Sequence, residues 1–296
     1  MTTLTSSSGS CTFGTGNPAV IGGTLINAVE HKSLAHSLLS GDYDAVRRLA
    51  EKQCIEGVGF LEVLVSSPEL DEEDVLPKAC LAAHDASGLP IYIDSTNVSA
   101  IRKTLDVFHY KPLLSVSGDA ARLEPVLDLA REKDCAVICL CMDEKGIPTA
   151  TAGRIAAGEY IIQQARAIGI PDEDIVIDPL VLAAGVSEPD SMLVTLDALR
   201  YFKQEYPFST CLGIGNAGYC MPEKDTLELA YLAAAIPAGL DAALMDPPLL
   251  SSLGRIGQNL LFASNFLSGR DPYAKKYLTY LRMNNLIKAR KHETKE

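Results

Sequence analysis

The feature that most constrains the fold is a series of eight short apolar runs, each followed by a segment suited to a helix. The runs lie at residues 19–27, 59–65, 90–94, 112–117, 135–142, 175–178, 210–218 and 242–245. Apolar strands that alternate with helices form βα units and therefore a parallel sheet. Eight such units predict an α/β fold of one domain, a closed (β/α)8 TIM barrel, which needs about 250 residues. The alternative is an open doubly wound sheet, but no glycine-rich dinucleotide fingerprint follows the first run.

The predicted barrel accounts for most of the 296 residues. Residues 1–16 are rich in Thr, Ser and Gly, and we expect them to form a flexible tail. Residues 17–287 are expected to form the barrel. Residues 288–296 are rich in charged side chains, which predicts a solvated C-terminal tail.

Composition excludes several classes of partner. The net charge of −12 argues against nucleic acid, because such a surface repels phosphate backbones. No apolar run approaches the roughly 18 residues that a membrane span needs. The eight cysteines form no CxxC pair, which predicts free thiols in a reducing compartment, and the N-terminus lacks the pattern of a signal peptide. We therefore expect a cytoplasmic enzyme. The five histidines show no zinc-type spacing with the cysteines, so no bound metal is predicted.

Polar side chains follow three of the apolar runs, at the points where the strands end. They are Asp94, Asp178 and Asn216. In a parallel barrel the carboxyl ends of the strands meet at one mouth, where active sites are built. A carboxylate accepts two parallel N–H donors, so this set suits a neutral, planar, nitrogen-rich ligand, and Gly213 and Gly215 would let the backbone approach it closely. The alternative is that the aspartates cap helices and that Asn216 is only a turn residue.

Four pieces of sequence carry a resemblance to a known family. They are Asp94-Ser95-Thr96-Asn97, Ile177-Asp178-Pro179-Leu180 and the segments 212–216 and 238–246. Through them, and from about residue 20 to about residue 266, the chain resembles the methyltetrahydrofolate:corrinoid-protein methyltransferases. These are pterin-binding TIM barrels related to dihydropteroate synthase.

The resemblance implies a reaction and a role for each matching residue. Asp94 and Asp178 would hold the pterin ring, with Gly213 and Gly215 beside it. Asn216 would be the catalytic residue at N5, where its amide stabilises the protonated amine. The substrate would be tetrahydrofolate or methyltetrahydrofolate, and the methyl group would pass between N5 and the cobalt of a corrinoid. The family also implies a homodimer.

Two positions depart from the family pattern. Ser115 stands where the family usually has an Asn that contacts the pterin, and Ser117 is a candidate substitute. The first strand also lacks the family's usual charge, which leaves the role of Asn27 open. The chain has no Asp-x-His-x-x-Gly motif, so the corrinoid is expected to come in trans from a partner protein. The polar loops 143–148 and 180–189 are candidates for that contact.

Two other functions remain open at this point. The first is dihydropteroate synthase, although no Ser-x-Lys-Arg-like segment lies near the C-terminus. The second is a non-catalytic pterin-binding subunit of a methyl-transfer complex, a hypothesis that rests on the serine at position 115.

Overall fold

A computed structural model describes residues 1–247, 255–267 and 270–284. Eight parallel strands close into a barrel, and the first of them in the chain pairs with the last. This confirms the predicted (β/α)8 architecture. The barrel strands are β3 (Val20–Asn27), β4 (Phe60–Leu64), β5 (Ile91–Ile93), β6 (Leu113–Ser117), β7 (Ala136–Leu140), β8 (Ile175–Asp178), β9 (Ser209–Leu212) and β10 (Ala242–Met245).

Helices surround the barrel. They are α1 (Lys32–Leu39), α2 (Asp44–Ile55), α3 (Glu72–Ser87), α4 (Val98–Val107), α5 (Ala120–Glu132), α6 (Thr151–Ile168), α7 (Ser191–Glu205), α8 (Lys224–Ala238), α9 (Arg255–Leu267) and α10 (Lys275–Met283). Among the described residues, no helix has both the length and the apolar character needed to cross a membrane. The predicted charged tail at 288–296 lies outside the described residues.

The alternation of side chains along each strand divides the core into two layers. On β5, Ile91 and Ile93 belong to the layer between the strands and the helices, whereas Tyr92 belongs to the layer inside the barrel. On β4, Phe60 likewise belongs to the inner layer. Both faces of these strands are buried, which is why the sequence reads as continuous apolar runs rather than as alternating ones.

The N-terminal residues form a hairpin instead of a tail. Strands β1 (Thr2–Ser6) and β2 (Gly9–Phe13) pair antiparallel, and Leu4 and Phe13 are fully buried with the inner layer of the barrel. The Phe13 ring stacks on Phe60 with centroids 5.9 Å apart. Thr2 Oγ1 donates to Ser209 Oγ at 2.9 Å, at the amino-terminal end of β9. The hairpin therefore covers the end of the barrel opposite the mouth, and the prediction of a flexible tail over residues 1–16 was wrong.

Removing a buried side chain of this hairpin is expected to destabilise the barrel. Phe13→Ala should lower the free energy of unfolding by about 3 kcal/mol, because it removes a fully buried ring and leaves a cavity. Urea denaturation followed by circular dichroism measures this. Thr12→Ala, at the neighbouring exposed position of β2, is the matched control and should change stability by less than about 0.5 kcal/mol. Equal effects of the two substitutions would contradict the burial of Phe13 against the barrel.

All eight cysteines are free. Six are buried, Cys54 is half-buried and Cys220 is exposed. Burial raises the pKa of the Cys139 thiol to about 12, which keeps it protonated and inert. The prediction of unpaired thiols is confirmed.

Candidate functional site

The carboxyl ends of the barrel strands enclose a cavity of about 210 Å³. Its lining is strongly acidic and includes five carboxyl side chains, those of Glu30, Glu62, Asp94, Asp178 and Asp246. Lys224 is the one basic side chain among the described residues of the lining. The cavity also contains four other predicted site residues, Asn27, Gly213, Gly215 and Asn216. The structure therefore brings most of the predicted site together at one mouth.

Asp94 follows the end of β5 and is supported by hydroxyl groups. Its Oδ1 atom accepts a hydrogen bond from Ser115 Oγ at 2.9 Å. Burial raises the pKa of Asp94, and hydrogen bonds from the hydroxyls of Ser115 and Tyr92 oppose that rise. Ser115 thus contacts a predicted ligand-binding carboxyl group.

The two serines of β6 line a separate, smaller cavity. Ser115 and Ser117 border a space of about 40 Å³ beside the main one, and neither lines the main cavity. Ser115 contacts the main site through Asp94 and Tyr92. Ser115 therefore contacts the main site, whereas Ser117 borders the smaller cavity.

Asp178 is the last residue of β8, and its side chain is almost completely enclosed, at 3% exposed. Its Oδ1 atom accepts a hydrogen bond from the backbone N–H of Leu180 at 2.7 Å. Burial raises the pKa of Asp178 to about 7, although the Leu180 and Gly213 amides and the charge of Arg154 oppose that rise. The carboxyl group can therefore be neutral or ionised near neutral pH.

Glu62 is a cavity residue that the sequence analysis missed. It lies in the middle of β4 and is 8% exposed. Burial, followed by the charges of Asp94 and Glu30, raises its pKa well above the ordinary value. No side chain or backbone group among the described residues donates a hydrogen bond to it. The available signal was an acidic residue between Leu61 and Val63 inside an apolar run.

Asn216 lies at the rim of the cavity, where β9 gives way to a 3₁₀ turn at Ile214–Asn216. Its side chain is exposed and folds over Gly213. A Cβ atom at Gly213 would come within 2.9 Å of the Asn216 amide nitrogen. Gly213 is therefore needed for the present position of Asn216. The sequence predicted only that glycine would let a ligand approach the backbone here, whereas the structure shows that Gly213 makes room for the Asn216 side chain.

Asn27 shapes the loop after β3. Its Oδ1 atom accepts hydrogen bonds from the backbone N–H groups of Val29 at 2.9 Å and Glu30 at 3.0 Å. The side chain is 9% exposed and lines the cavity. The loop contacts use the carbonyl oxygen of this amide and leave its NH₂ group outside them.

The cavity lining also contains a charged residue that sequence reasoning missed, Lys224. Lys224 Nζ lies 3.4 Å from a carboxyl oxygen of Glu228, one turn further along α8. Burial raises the pKa of Glu228 to about 7, and Lys224 opposes the rise. The i,i+4 spacing is typical of an ion pair on a helix, but the position of this pair at the cavity depends on how α8 packs over the mouth.

The site offers carboxyl and amide groups but no arrangement for a metal. Within residues 1–247, 255–267 and 270–284, no group of three or more His, Cys, Asp or Glu side chains is placed to share an ion. Enclosed carboxyl groups are stable when ionised only if a ligand or the protein supplies donors. The cavity therefore suits a ligand with several N–H groups on one edge.

A comparison with known proteins decides the family. Residues 23–246 match the profile of the pterin binding enzymes. This chain belongs to the pterin binding enzyme family. The match covers more than half of the chain and spans every barrel strand except the first residues of β3.

Two relatives with named activities are similar to most of this chain. The chain is 23% identical over 246 residues to a methylcorrinoid:tetrahydrofolate methyltransferase of Eubacterium limosum, covering 81% of this chain and 88% of that protein. It is 24% identical over 249 residues to a methionine synthase of Mycobacterium tuberculosis, covering 79% of this chain but only 21% of that protein. These relatives are enzymes, and the resemblance to the pterin-binding methyltransferases is confirmed at the level of the family.

Solved structures agree on the fold. A dihydropteroate synthase from Coxiella burnetii in complex with pteroic acid matches with a TM-score of 0.68 and 16% identity, covering 90% of this chain and 99% of that chain. A 7,8-dihydropteroate synthase from Vibrio fischeri matches with a TM-score of 0.66 and 17% identity, covering 92% and 100%. At these identities the likeness shows the barrel fold.

The enclosed carboxyl groups make a prediction for the free protein. Asp178 and Glu228 stay protonated up to about pH 7 in the folded state, whereas they ionise near pH 4 when unfolded. The folded state therefore binds more protons between these values, so stability falls as pH rises through this range. We expect the free energy of unfolding to be lower at pH 8 than at pH 5 by on the order of 5 kcal/mol, about half from each group, measured by urea denaturation.

The matched control is Asp178→Asn, which cannot ionise and should roughly halve the dependence, because Glu228 still titrates. A free energy of unfolding that rises from pH 5 to pH 8 in the wild type would contradict the raised pKa values of these groups.

Proposed function

We propose that this protein transfers a methyl group between N5 of tetrahydrofolate and the cobalt of a corrinoid carried by a partner protein. The observation that carries the proposal is the convergence of Asp94, Asp178 and Asn216 on one cavity at the barrel mouth. The similarity to a methylcorrinoid:tetrahydrofolate methyltransferase supports the choice of reaction.

Asp178 and Asp94 hold the pterin ring in this proposal. A pterin presents a guanidine-like edge whose N–H groups match the acceptor oxygens of a carboxylate. Asp178 already receives the Leu180 amide at one oxygen, which orients the group while leaving acceptor capacity for the ligand. Ser115 does the same for Asp94. Bound N–H donors favour the ionised carboxylates, so binding offsets the cost of enclosing them.

Asn216 assists at N5. A tertiary amine leaves poorly unless its nitrogen is protonated or accepts a strong hydrogen bond, and an amide oxygen stabilises the N–H of a protonated amine. In the opposite direction, the N5 lone pair attacks the methyl carbon, the bond from that carbon to cobalt breaks with its electron pair left on cobalt, and N5 loses its proton. Asn216 lies at the exposed rim, where N5 would face outward and a second protein could approach. Its amide does not titrate, so its contribution is electrostatic rather than proton transfer from an acid.

The corrinoid supplies the cobalt that carries the methyl group, and we place its protein at the mouth of the barrel. Loops 143–148 and 180–189 follow β7 and β8, so both begin at the end of the barrel that carries the cavity. Leu180 belongs to the second loop and also lines the cavity. A protein that contacts these loops would therefore approach the rim. We expect the enzyme to act as a homodimer.

The direct test is a spectroscopic assay of methyl transfer. Purified protein mixed with methyltetrahydrofolate and cob(I)alamin should convert the cob(I)alamin spectrum to that of methylcobalamin, and methylcobalamin with tetrahydrofolate tests the opposite direction. Asn216→Ala provides the control for transfer without this side chain. Absence of transfer in both directions, with an active corrinoid protein present, would overturn the proposal.

Dihydropteroate synthase is the second candidate, favoured by the structural likeness to two such enzymes. The charge of the cavity argues against it. Among its described residues the lining has five carboxyl groups and one lysine, and a diphosphate would be repelled by this surplus of acid. Incubation with dihydropterin diphosphate and para-aminobenzoate should give no dihydropteroate. Tight folate binding without transfer would instead favour a non-catalytic subunit.

A further inference from the structure

Arg154 is a buried cation close to the site but outside it. It lies in the first turn of α6, and its side chain is fully buried. Among the described residues it forms no ion pair, and its Nη2 atom has no hydrogen-bond partner. Burying a guanidinium without a carboxylate partner is costly, and burial lowers its pKa. The hydrogen bonds that Arg154 makes must therefore offset this cost.

The contacts of Arg154 join two mouth loops to a helix. Its Nε atom donates to the carbonyl of Pro148 at 2.7 Å, in the loop after β7. Its Nη1 atom donates to the carbonyls of Pro179 and Leu180, in the loop after β8, and to Thr195 Oγ1 at 3.2 Å on α7. The guanidinium is a planar fork, which allows one side chain to hold several acceptors at fixed angles.

Leu180 connects this cluster to the site. Its backbone has φ of +69°, a left-handed conformation that is uncommon for a branched residue. Its carbonyl accepts from Arg154 and also from Thr195 Oγ1 at 2.9 Å, while its N–H donates to Asp178 Oδ1 at 2.7 Å. The Pro179 carbonyl and the Leu180 N–H belong to one planar peptide unit, so Arg154, which donates to that carbonyl, also restrains the N–H that points at Asp178.

We propose that Arg154 is a positioning residue for Asp178: it fixes Leu180 so that the Leu180 amide orients the carboxylate toward the pterin. The proposal deepens the function proposed above, since it assumes that Asp178 binds the pterin ring. Arg154 also acts through its charge, which lowers the pKa of Asp178 against the effect of burial. Both effects favour the ionised, correctly turned carboxylate.

Several other groups face Asp178 and would share in its titration. They are Glu62, Asp94, Cys141, Cys211 and Tyr231. Lys224 lines the same cavity, but among the described groups it is the charge of Arg154 that lowers the pKa of Asp178. Removing that charge should therefore raise the pKa of Asp178, because the charge of Asp94 acts in the opposite direction.

The test follows Asp178 in Arg154→Met and Arg154→Lys. Carboxyl ¹³C NMR of Asp-labelled free protein, assigned with Asp178→Asn, gives the titration midpoint, and calorimetry with tetrahydrofolate gives affinity against pH. Arg154→Met should raise the midpoint by about one pH unit and weaken binding at pH 7 about 10-fold. Arg154→Lys should keep the midpoint near wild type and still weaken binding about threefold, because the charge remains and the fork is lost.

Two controls separate positioning from stability. Arg166→Met, on the exposed side of the same helix, should change neither quantity. In an Asp178→Asn background, Arg154→Met should weaken binding little further, since the effect passes through the carboxylate. A lower melting temperature with unchanged midpoint and affinity in Arg154→Met would overturn the proposal. If that variant does not fold, wild-type affinity in Arg154→Lys would overturn it. If wild type binds no pterin, the proposed function fails, while the NMR midpoint still tests Arg154.

Discussion

Replacing Asp178 with Asn is expected to weaken tetrahydrofolate binding by about 100-fold. A carboxylate that accepts N–H groups becomes an amide that presents a donor of its own, and hydrogen bonds to a charged group contribute about 1.5–3 kcal/mol each. The Leu180 amide at one oxygen restricts how the new side chain can turn to avoid the clash. Isothermal titration calorimetry at pH 8, where the wild-type group is mostly ionised, measures the change.

Asp128→Asn is the matched control, because it makes the same substitution on the exposed face of α5. It should leave affinity unchanged. Circular dichroism should show that both variants are folded. Equal affinity of Asp178→Asn and wild type would show that Asp178 does not bind the pterin.

The second large effect is expected on rate rather than on binding. Asn216→Ala should slow methyl transfer by about 10- to 1,000-fold, which is the usual cost of losing one preorganised polar group at a developing charge. Pterin affinity should change by less than about threefold, because the enclosed carboxylates remain. Stopped-flow spectroscopy of the cobalt absorbance measures the rate, and calorimetry measures the affinity.

Asn17→Ala offers a control at the opposite end of the barrel, where the Asn17 amide contacts Met1. Its transfer rate should equal that of the wild type. An unchanged rate in Asn216→Ala would mean that this side chain only shapes the turn over Gly213. A loss of affinity as large as the loss of rate would instead make Asn216 a binding residue.

The position of a polar residue at the end of an apolar run explains which site residues the sequence could reveal. Asp94, Asp178 and Asn216 each follow an apolar run, and parallel strands bring such positions together whatever the details of packing. Ser115 and Ser117 could not be separated in this way. Both lie on one short strand, and which of them approaches a neighbouring side chain depends on the tilt and stagger of the closed barrel.

The residues that were missed depend on longer-range contacts. Glu62 lies within a strand rather than at its end, so it reads as an interruption of an apolar run. Arg154 is one of many basic residues on helices, and only the meeting of two loops and α7 around it reveals its burial. The hairpin was missed because small polar residues dominate it, and its alternating Leu4, Cys11 and Phe13 are too few to outweigh them.

The closure of the barrel has a consequence for how the protein forms in the cell. Thr24 on β3 contacts Asp246, which lies 222 residues later, and β10 supplies the neighbour of both β3 and β9. During synthesis on the ribosome, these two strands keep open edges until residues 242–245 emerge. Open strand edges invite pairing with other chains. The nascent protein therefore depends on β10 for protection from aggregation as well as for its cavity, and we expect it to be more prone to aggregate before residues 242–245 emerge.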